Sequence, residues 1–357
     1  MSGESGSHFD EQLQAWRTIA KLYQSYFTGL VLYVSSRHGA AKAAELTYSV
    51  FCRQRQERFL PGLHKLGLDR LPHAVAAAQY HYLSNHIGGV SVQYMYESDR
   101  KAWIRYAAPR WIWSGTALCG IPPDVSRAML SGWHAQNGVS LKNPRLGFVC
   151  TKQAVDGQSG LEGYYFEYDH DLEPQERLRF ARDEDAPDFD PKAAPVLRTT
   201  EWPIERLAKA NRNYAMEYVK TALSATIQVF GPEEASHALN MTGRMIGMQF
   251  YHEIAQGLGV KPDATPMRFA EFVQALCQAQ GDHCEVTESD GVPIIFQSSW
   301  CLLKGLRFQP SMMSAWNGLL SGAMDAHHHR YVLVPIHDVC QESEDFRWRI
   351  SQRSLIA

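Results

Sequence analysis

Val229-Phe230-Gly231-Pro232-Glu233-Glu234-Ala235 decides how this chain is organised, because Arg37-His38-Gly39-Ala40-Ala41-Lys42-Ala43 occupies the same place in an earlier copy. The correspondence continues outward in both directions. Upstream, Tyr23-Gln24-Ser25-Tyr26 answers Tyr214-Ala215-Met216-Glu217-Tyr218; downstream, Leu66-Gly67-Leu68 answers Leu258-Gly259-Val260. Tyr26 and Tyr218, Gly39 and Gly231, Ala43 and Ala235, and Gly67 and Gly259 all share one separation. Glu97-Ser98-Asp99 then recurs as Glu288-Ser289-Asp290, Gly115 as Gly305, and Ser131-Gly132-Trp133 as Ser314-Ala315-Trp316, at slowly shrinking separations. Loop insertions in one copy of a duplicated domain leave that trace. The period is far longer than the roughly 20–50 residues of a solenoid unit, so two fused, pseudo-symmetric domains are expected.

Length agrees, since the chain has 357 residues and single cores rarely grow past about 250–300. Residues 1–16 read as a flexible tail, 17–182 as the first repeat and 208–357 as the second. Between them, 183–207 reads as an acidic, proline-spaced linker, opening on Asp183-Glu184-Asp185-Ala186-Pro187-Asp188-Phe189-Asp190-Pro191 and lacking any periodicity. Hydrophobic residues make up 45% and charged residues 20%, the balance of a soluble globular protein. A net charge of −3 supplies no global field for nucleic acid or an anionic membrane. No apolar run reaches the length of a transmembrane helix, and the start lacks the basic and apolar regions of a secretory signal. The seven cysteines are scattered and form no Cys-x-x-Cys pair, which points to free thiols in a reducing, cytoplasmic setting rather than disulfides or a zinc finger.

Each half repeats one order of patterns. Ile19, Leu22, Tyr23, Tyr26, Phe27 and Leu30 share one helical face, as do Tyr214, Tyr218, Ala222, Ala225 and Val229. A break at Gly39 or Gly231 opens a second helix, which Gly67 or Gly259 ends. A third helix comes next, near Pro72–Asn85 and Pro266–Gln280. Alternation over Val90–Tyr96 and again over Lys101–Tyr106, around a Glu-Ser-Asp turn, is a hairpin signature; Cys284–Glu288 and Pro293–Gln297 repeat it. A helix from Pro123 or Pro310 carries Trp133 or Trp316. Two strands close each copy, at Leu146–Thr151 with Gly163–Asp169 and at Tyr331–Ile336 with Phe346–Ile350. Helices succeeded by antiparallel strands predict an α+β fold, internally duplicated.

This order, with its Phe-Gly-x-x-x-Ala landmark, resembles the vinyl-4-reductase (4-vinyl reductase) domain family and the related L-2-amino-thiazoline-4-carboxylic acid hydrolase-like proteins. The resemblance covers residues 17–170 and 208–350, once per half. It implies either an enzyme acting on a small organic molecule, by hydrolytic opening of a ring or C–N bond, or a binding and sensory module for a small, largely apolar ligand. Haem-binding proteins belong to the same fold group, so haem is a third alternative, without a motif here. Sensor members of the family carry a cysteine-rich metal site near the last strands. This chain offers only Cys150 and Cys340 there, so no metal and no cofactor is expected. Such domains are usually single; here the duplication builds two into one chain and leaves room for a homo-oligomer.

The stretch from Arg105 to Glu167 is the richest in chemistry, and its second-half counterpart is plainer. Trp111, Trp113, Trp133 and Tyr165 are expected to wall a small-molecule pocket, with Arg105, Arg110 and Asn137 as polar anchors and Arg110 as a carboxylate clamp. His134, one residue past Trp133 on a helix, is the candidate acid–base group at the edge of that pocket. Cys150 on a central strand is a candidate nucleophile. The second copy has Asn317 where the first has His134, which places chemistry in the N-terminal repeat. His327-His328-His329 reads as an exposed turn rather than a metal cluster, because adjacent residues of an extended segment point to opposite faces. The partner implied is a small-molecule ligand or substrate, with no nucleic acid and no membrane.

Overall fold

The structure, a computed structural model, describes residues 2–107, 111–113, 117–261, 263–336 and 346–353, with side chains from residue 9 onward. It is an α+β fold in which one succession of elements occurs twice. The first runs α1 (Ser2–Lys65), α2 (His73–Ile87), β1 (Val92–Ser98), β2 (Lys101–Ala107), α3 (Pro123–Gly132), α4 (Asn137–Ser140), β3 (Leu146–Lys152), β4 (Gly160–Glu167) and β5 (Leu178–Phe180). The second runs α5 (Ile204–Phe230), α6 (Pro232–Gly257), α7 (Pro266–Gln280), β6 (Cys284–Ser289), β7 (Val292–Gln297), α8 (Pro310–His327), β8 (Tyr331–Pro335) and β9 (Phe346–Gln352). Among the described residues no helix is long and apolar enough to cross a membrane.

The two glycines of the opening motif do the same work in both copies. Gly39 interrupts α1 at φ 84°, ψ 169°, and Gly231 separates α5 from α6 at φ 78°, ψ 167°. A side chain resists this conformation, so only glycine lets one helix end and the next begin without a loop. Pro232 then takes the first helical position and Glu233 and Glu234 the first turn, where a missing N–H is harmless and acids meet the positive end of the helix dipole.

The sheets share a topology. The first has the order β1-β2-β4-β3-β5 and the second β6-β7-β9-β8; all neighbours are antiparallel except β5, which runs parallel to β3. Alternation sets one face of each sheet inward. In the first, Ile104, Tyr106, Phe148 and Tyr165 are buried on the inner face, beside α2. The opposite face of that sheet carries Met95, Trp103, Val149 and Tyr164, and Ala181, Ala186 and Phe189 pack over them. The stretch from 183 that reads as a linker is therefore, at its start, a strap across the sheet. Its aromatic and its acids meet an aromatic and lysine-bearing face: Lys152 Nζ donates to the carbonyls of Arg182 (3.0 Å) and Glu184 (2.9 Å), and Tyr164 donates to Glu184 (3.1 Å).

Two compact units emerge, and they do not follow the repeat boundaries. Residues 31–207 form one, whereas residues 1–30 pack with 208–357 in the other. The start of α1 thus joins the second unit: Tyr23 donates to Gln280 at 2.6 Å and Tyr26 to the Leu239 carbonyl at 2.8 Å, with Ile19, Phe27 and Leu30 fully buried. Apolar periodicity along α1 shows which face is buried but is blind to which partner covers it.

Within that unit α6 and α8 touch backbone to backbone. Gly243 and Gly247 of α6 face the Ala315 and Leu319 carbonyls, and Gly318 and Gly322 of α8 face those of Asn240 and Arg244. A Cβ at any of the four would overlap a carbonyl oxygen, so neither helix can yield by turning a side chain. Gly247→Ala and Gly322→Ala should each lower stability by about 1–3 kcal/mol, the usual cost of overpacking. Urea unfolding monitored by circular dichroism reads this, and wild-type midpoints for both would refute the close crossing.

Candidate functional site

Four side chains of the first repeat meet in its interior. His81 comes from α2, His134 from the turn after α3, Asn137 from the start of α4, and Tyr165 from β4; all are at least nine-tenths buried. The helix that begins at Pro123 stops at Gly132, earlier than its sequence pattern suggests, and His134 opens a tight 3-10 turn. Gly132 lies against the Tyr48 carbonyl, where a Cβ would sit 2.9 Å away, and that contact holds the chain where it turns inward. His134 Nδ1 lies 2.7 Å from the Tyr165 hydroxyl, Asn137 Nδ2 donates to that hydroxyl at 2.9 Å, and the same amide lies 2.9 Å from His81 Nε2. The two imidazoles stack at 4.2 Å between centroids, and Trp133 meets the His81 ring edge-on at 5.9 Å.

These side chains form a buried hydrogen-bonded cluster, not the rim of a pocket. Burial pushes His134 down to about 3, and burial, then the neighbouring His134, pushes His81 well below its usual value. Both rings are neutral at physiological pH, and at 4% exposure His134 lies inside the core rather than at its edge. Asn137 Oδ1 has no hydrogen-bond partner among the described residues.

The remaining expected residues are dispersed. Trp111 and Trp113 are both 2% exposed, and Ile112 between them is buried as well. Arg105 lies on the outer sheet face, donating to Gln93 at 2.7 Å and lying 3.6 Å from the buried Glu162 carboxylate. Cys150 is enclosed, with Sγ 3.4 Å from the Lys152 carbonyl, and burial raises its thiol to about 12. Arg110 and Cys340 lie outside the described residues. The structure brings together Trp133, His134, Asn137 and Tyr165, then, and sets Arg105 and Cys150 elsewhere. In the triple-histidine run, His327 ends α8, held by Tyr251 at 2.5 Å and the Thr265 carbonyl at 2.9 Å. No group of three His, Cys, Asp or Glu side chains that could hold a metal ion occurs among the described residues.

An open cleft of about 560 Å³ lies at the surface of the same unit, lined by Arg70, His73, Lys142, Asn143, Arg145 and Glu167. Pro72 precedes α2 and offers no side-chain cap, and the first turn holds no acid, so the first N–H groups and the positive dipole end are left for other partners. Asn143 organises the floor. Its Oδ1 accepts the Arg145 backbone N–H at 3.1 Å, which fixes the amide. Its Nδ2 therefore donates, at 3.0 Å each, to His73 Nδ1 and to Glu167 Oε2. His73 is thereby held with its Nδ1 lone pair used and Nε2 as the donor. Glu167 Oε1 takes Arg145 at 2.8 Å, aligning the guanidinium. Asn143, Arg145 and Glu167 stand in the stretch that the sequence marks as rich, but Arg70 and His73 do not. Their signal was the uncapped Pro72 start with no acid behind it.

The second unit has its own buried polar knot. The Asp282 carboxylate accepts Cys301 N–H at 2.8 Å, Gln280 Nε2 at 2.6 Å and Gln297 Nε2 at 3.2 Å. Gln280 in turn accepts from Tyr23, and Gln297 from Trp316 at 2.9 Å. A small apolar recess of about 10 Å³, walled by Leu22, Ile246, Phe250, Phe272 and Leu319, lies among the helices of this unit.

No protein-family model, curated protein or solved structure matches this chain. Its chemistry is read from the geometry.

Burial outweighs the three donors at Asp282 and raises its carboxyl to about 6. A folded pKa above the unfolded one means that the carboxyl's contribution to stability is complete below about pH 4 and is lost as pH rises through about 6, by up to roughly 3 kcal/mol. The carboxyl carbon resonance of Asp282 should titrate near pH 6 by NMR while the urea midpoint falls over the same interval; titration near pH 4 would show the donors in control.

Proposed function

We propose that the first repeat binds a small organic anion, a carboxylate or phosphate, in the cleft at the start of α2. The arrangement of Arg70, Lys142 and Arg145 around an uncapped helix start carries this reading, because oriented N–H groups and cations in one concavity make an anion site. Glu167 is the one carboxylate among the described lining residues, and it serves to aim Arg145. The chain as a whole is slightly acidic at −3, so the cations attract a ligand by their local grouping.

Binding is favoured over the hydrolytic alternative by the state of the reactive groups. His134 and Cys150 are enclosed and neutral, and Asn143 already occupies the basic nitrogen of His73. In this reading the histidine is a donor to the ligand, the class of ligand accords with the family resemblance in being a small molecule, and neither nucleic acid nor a membrane is a partner. The six described cysteines are free thiols, which suits a cytoplasmic setting.

Isothermal titration with inorganic phosphate and with mono- and dicarboxylates at low salt tests the cleft. Arg70→Ala and Arg145→Ala should each weaken binding about 10- to 150-fold, the range for loss of a charge-assisted bond. His134→Asn should lower stability and leave that affinity unchanged. Absence of binding, or equal affinity in wild type and the arginine variants, would remove the proposal.

A further inference from the structure

The outer faces of the two sheets have matching layouts and different coverings. On the first, the strap from Ala181 to Phe189 lies over Met95, Trp103, Val149 and Tyr164. Its acids and carbonyls meet the basic groups of that face: Lys152 pairs with Asp185 at 2.9 Å and Lys101 lies 3.7 Å from Glu184. Its backbone is held as well, the Ala186 N–H donating to Glu162 at 3.1 Å. An apolar sheet face with cations is therefore completed, in this chain, by an extended segment that carries carboxylates around an aromatic.

On the second sheet, Ile295 and Trp348 point inward, with 0% and 2% exposure. Pairing of Ile294 with Arg349 and of Phe296 with Arg347 then sets those four side chains outward, and Val332 and Val334 join them from β8, opposite Ser351 and Arg349. The four apolar residues remain partly open to solvent and both arginines are exposed. Arg347 lies over the Phe296 ring at 5.2 Å, and neither arginine has an ion-pair partner among the described residues.

We propose that this outer face of β7, β8 and β9 docks an extended acidic segment of a partner protein, with carboxylates on Arg347 and Arg349 and an aromatic or aliphatic residue on Ile294, Phe296 and the two valines. The charge pattern selects the occupant. The apolar stripe needs a side chain to cover it, the arginines need carboxylates, and the strap on the first sheet shows both demands met by one peptide with this sheet topology beneath it. The site is separate from the anion cleft and does not rest on it.

The strap supplies its own probe. A fluorescein-labelled peptide with the sequence of residues 181–191 should bind the intact protein saturably in fluorescence anisotropy. Arg347→Glu combined with Arg349→Glu should weaken that binding about tenfold or more, since two charge-assisted contacts are reversed in sign. The same peptide with every Asp and Glu replaced by its amide should bind wild type correspondingly weakly, a comparison that needs no variant to fold. No saturable binding, or equal binding by the reversed variant or the amidated peptide, would overturn the proposal. A concentration-dependent dimer in sedimentation that the double variant abolishes, without peptide binding, would overturn it in favour of a second copy of the chain.

Discussion

Both repeats depend on a glycine held where other residues are strained. At Gly39 and Gly231 the chain leaves one helix and enters the next with no intervening loop, and the left-handed φ makes that abrupt change of direction possible. In the second unit four further glycines let the α6 and α8 backbones touch. Dispersion falls off steeply with distance, so contact at this range stabilises only where no side chain intervenes.

The same scaffold encloses two different polar interiors. The first repeat buries two stacked imidazoles, a tyrosine and an asparagine, all uncharged. The second buries a carboxylate gripped by three N–H donors. Desolvation penalises charge, and each interior answers differently: the histidines give up their protons, whereas Asp282 recruits donors and still titrates higher than an exposed acid. Trp133 and Trp316 mark corresponding places, yet the next residue, His134 in one copy and Asn317 in the other, serves a different network in each. Asn317 accepts from Trp348 at 3.0 Å.

Surface chemistry separates the copies too. The cleft of the first repeat gathers cations at a helix start, and its outer sheet face is closed by its own strap. The second sheet leaves arginines and aliphatic residues at the surface. The interior topology is retained between the copies while the surfaces have diverged.

The repeat, the order of the main helices and antiparallel strands, and the glycine turning points were legible along the chain, whereas the parallel strand β5 and the early end of α3 were not. Gly39 and Gly231, the Pro232 and Pro266 helix starts, and the strand pattern of Pro293–Gln297 are local features, and backbone sterics act locally. Trp133 and Tyr165 read along the chain as walls of a pocket, whereas both are buried in the interior. Folding in three dimensions settled the rest. Helical periodicity shows that Tyr23 and Tyr26 are buried but not that residues 1–30 pack with 208–357, because an apolar stripe accepts any complementary face. Nor could composition show that acidic residues near 183 would be drawn onto a sheet, since their fit lies in Lys101 and Lys152, distant in sequence. His134 looks like an acid–base group as a residue type; its pKa was set by how completely neighbours from α2, β3 and β4 exclude water. The cleft at Arg70, His73 and Arg145 exists only once α2 and the turn before β3 are adjacent, and electrostatic grouping of that kind is a property of distance in space.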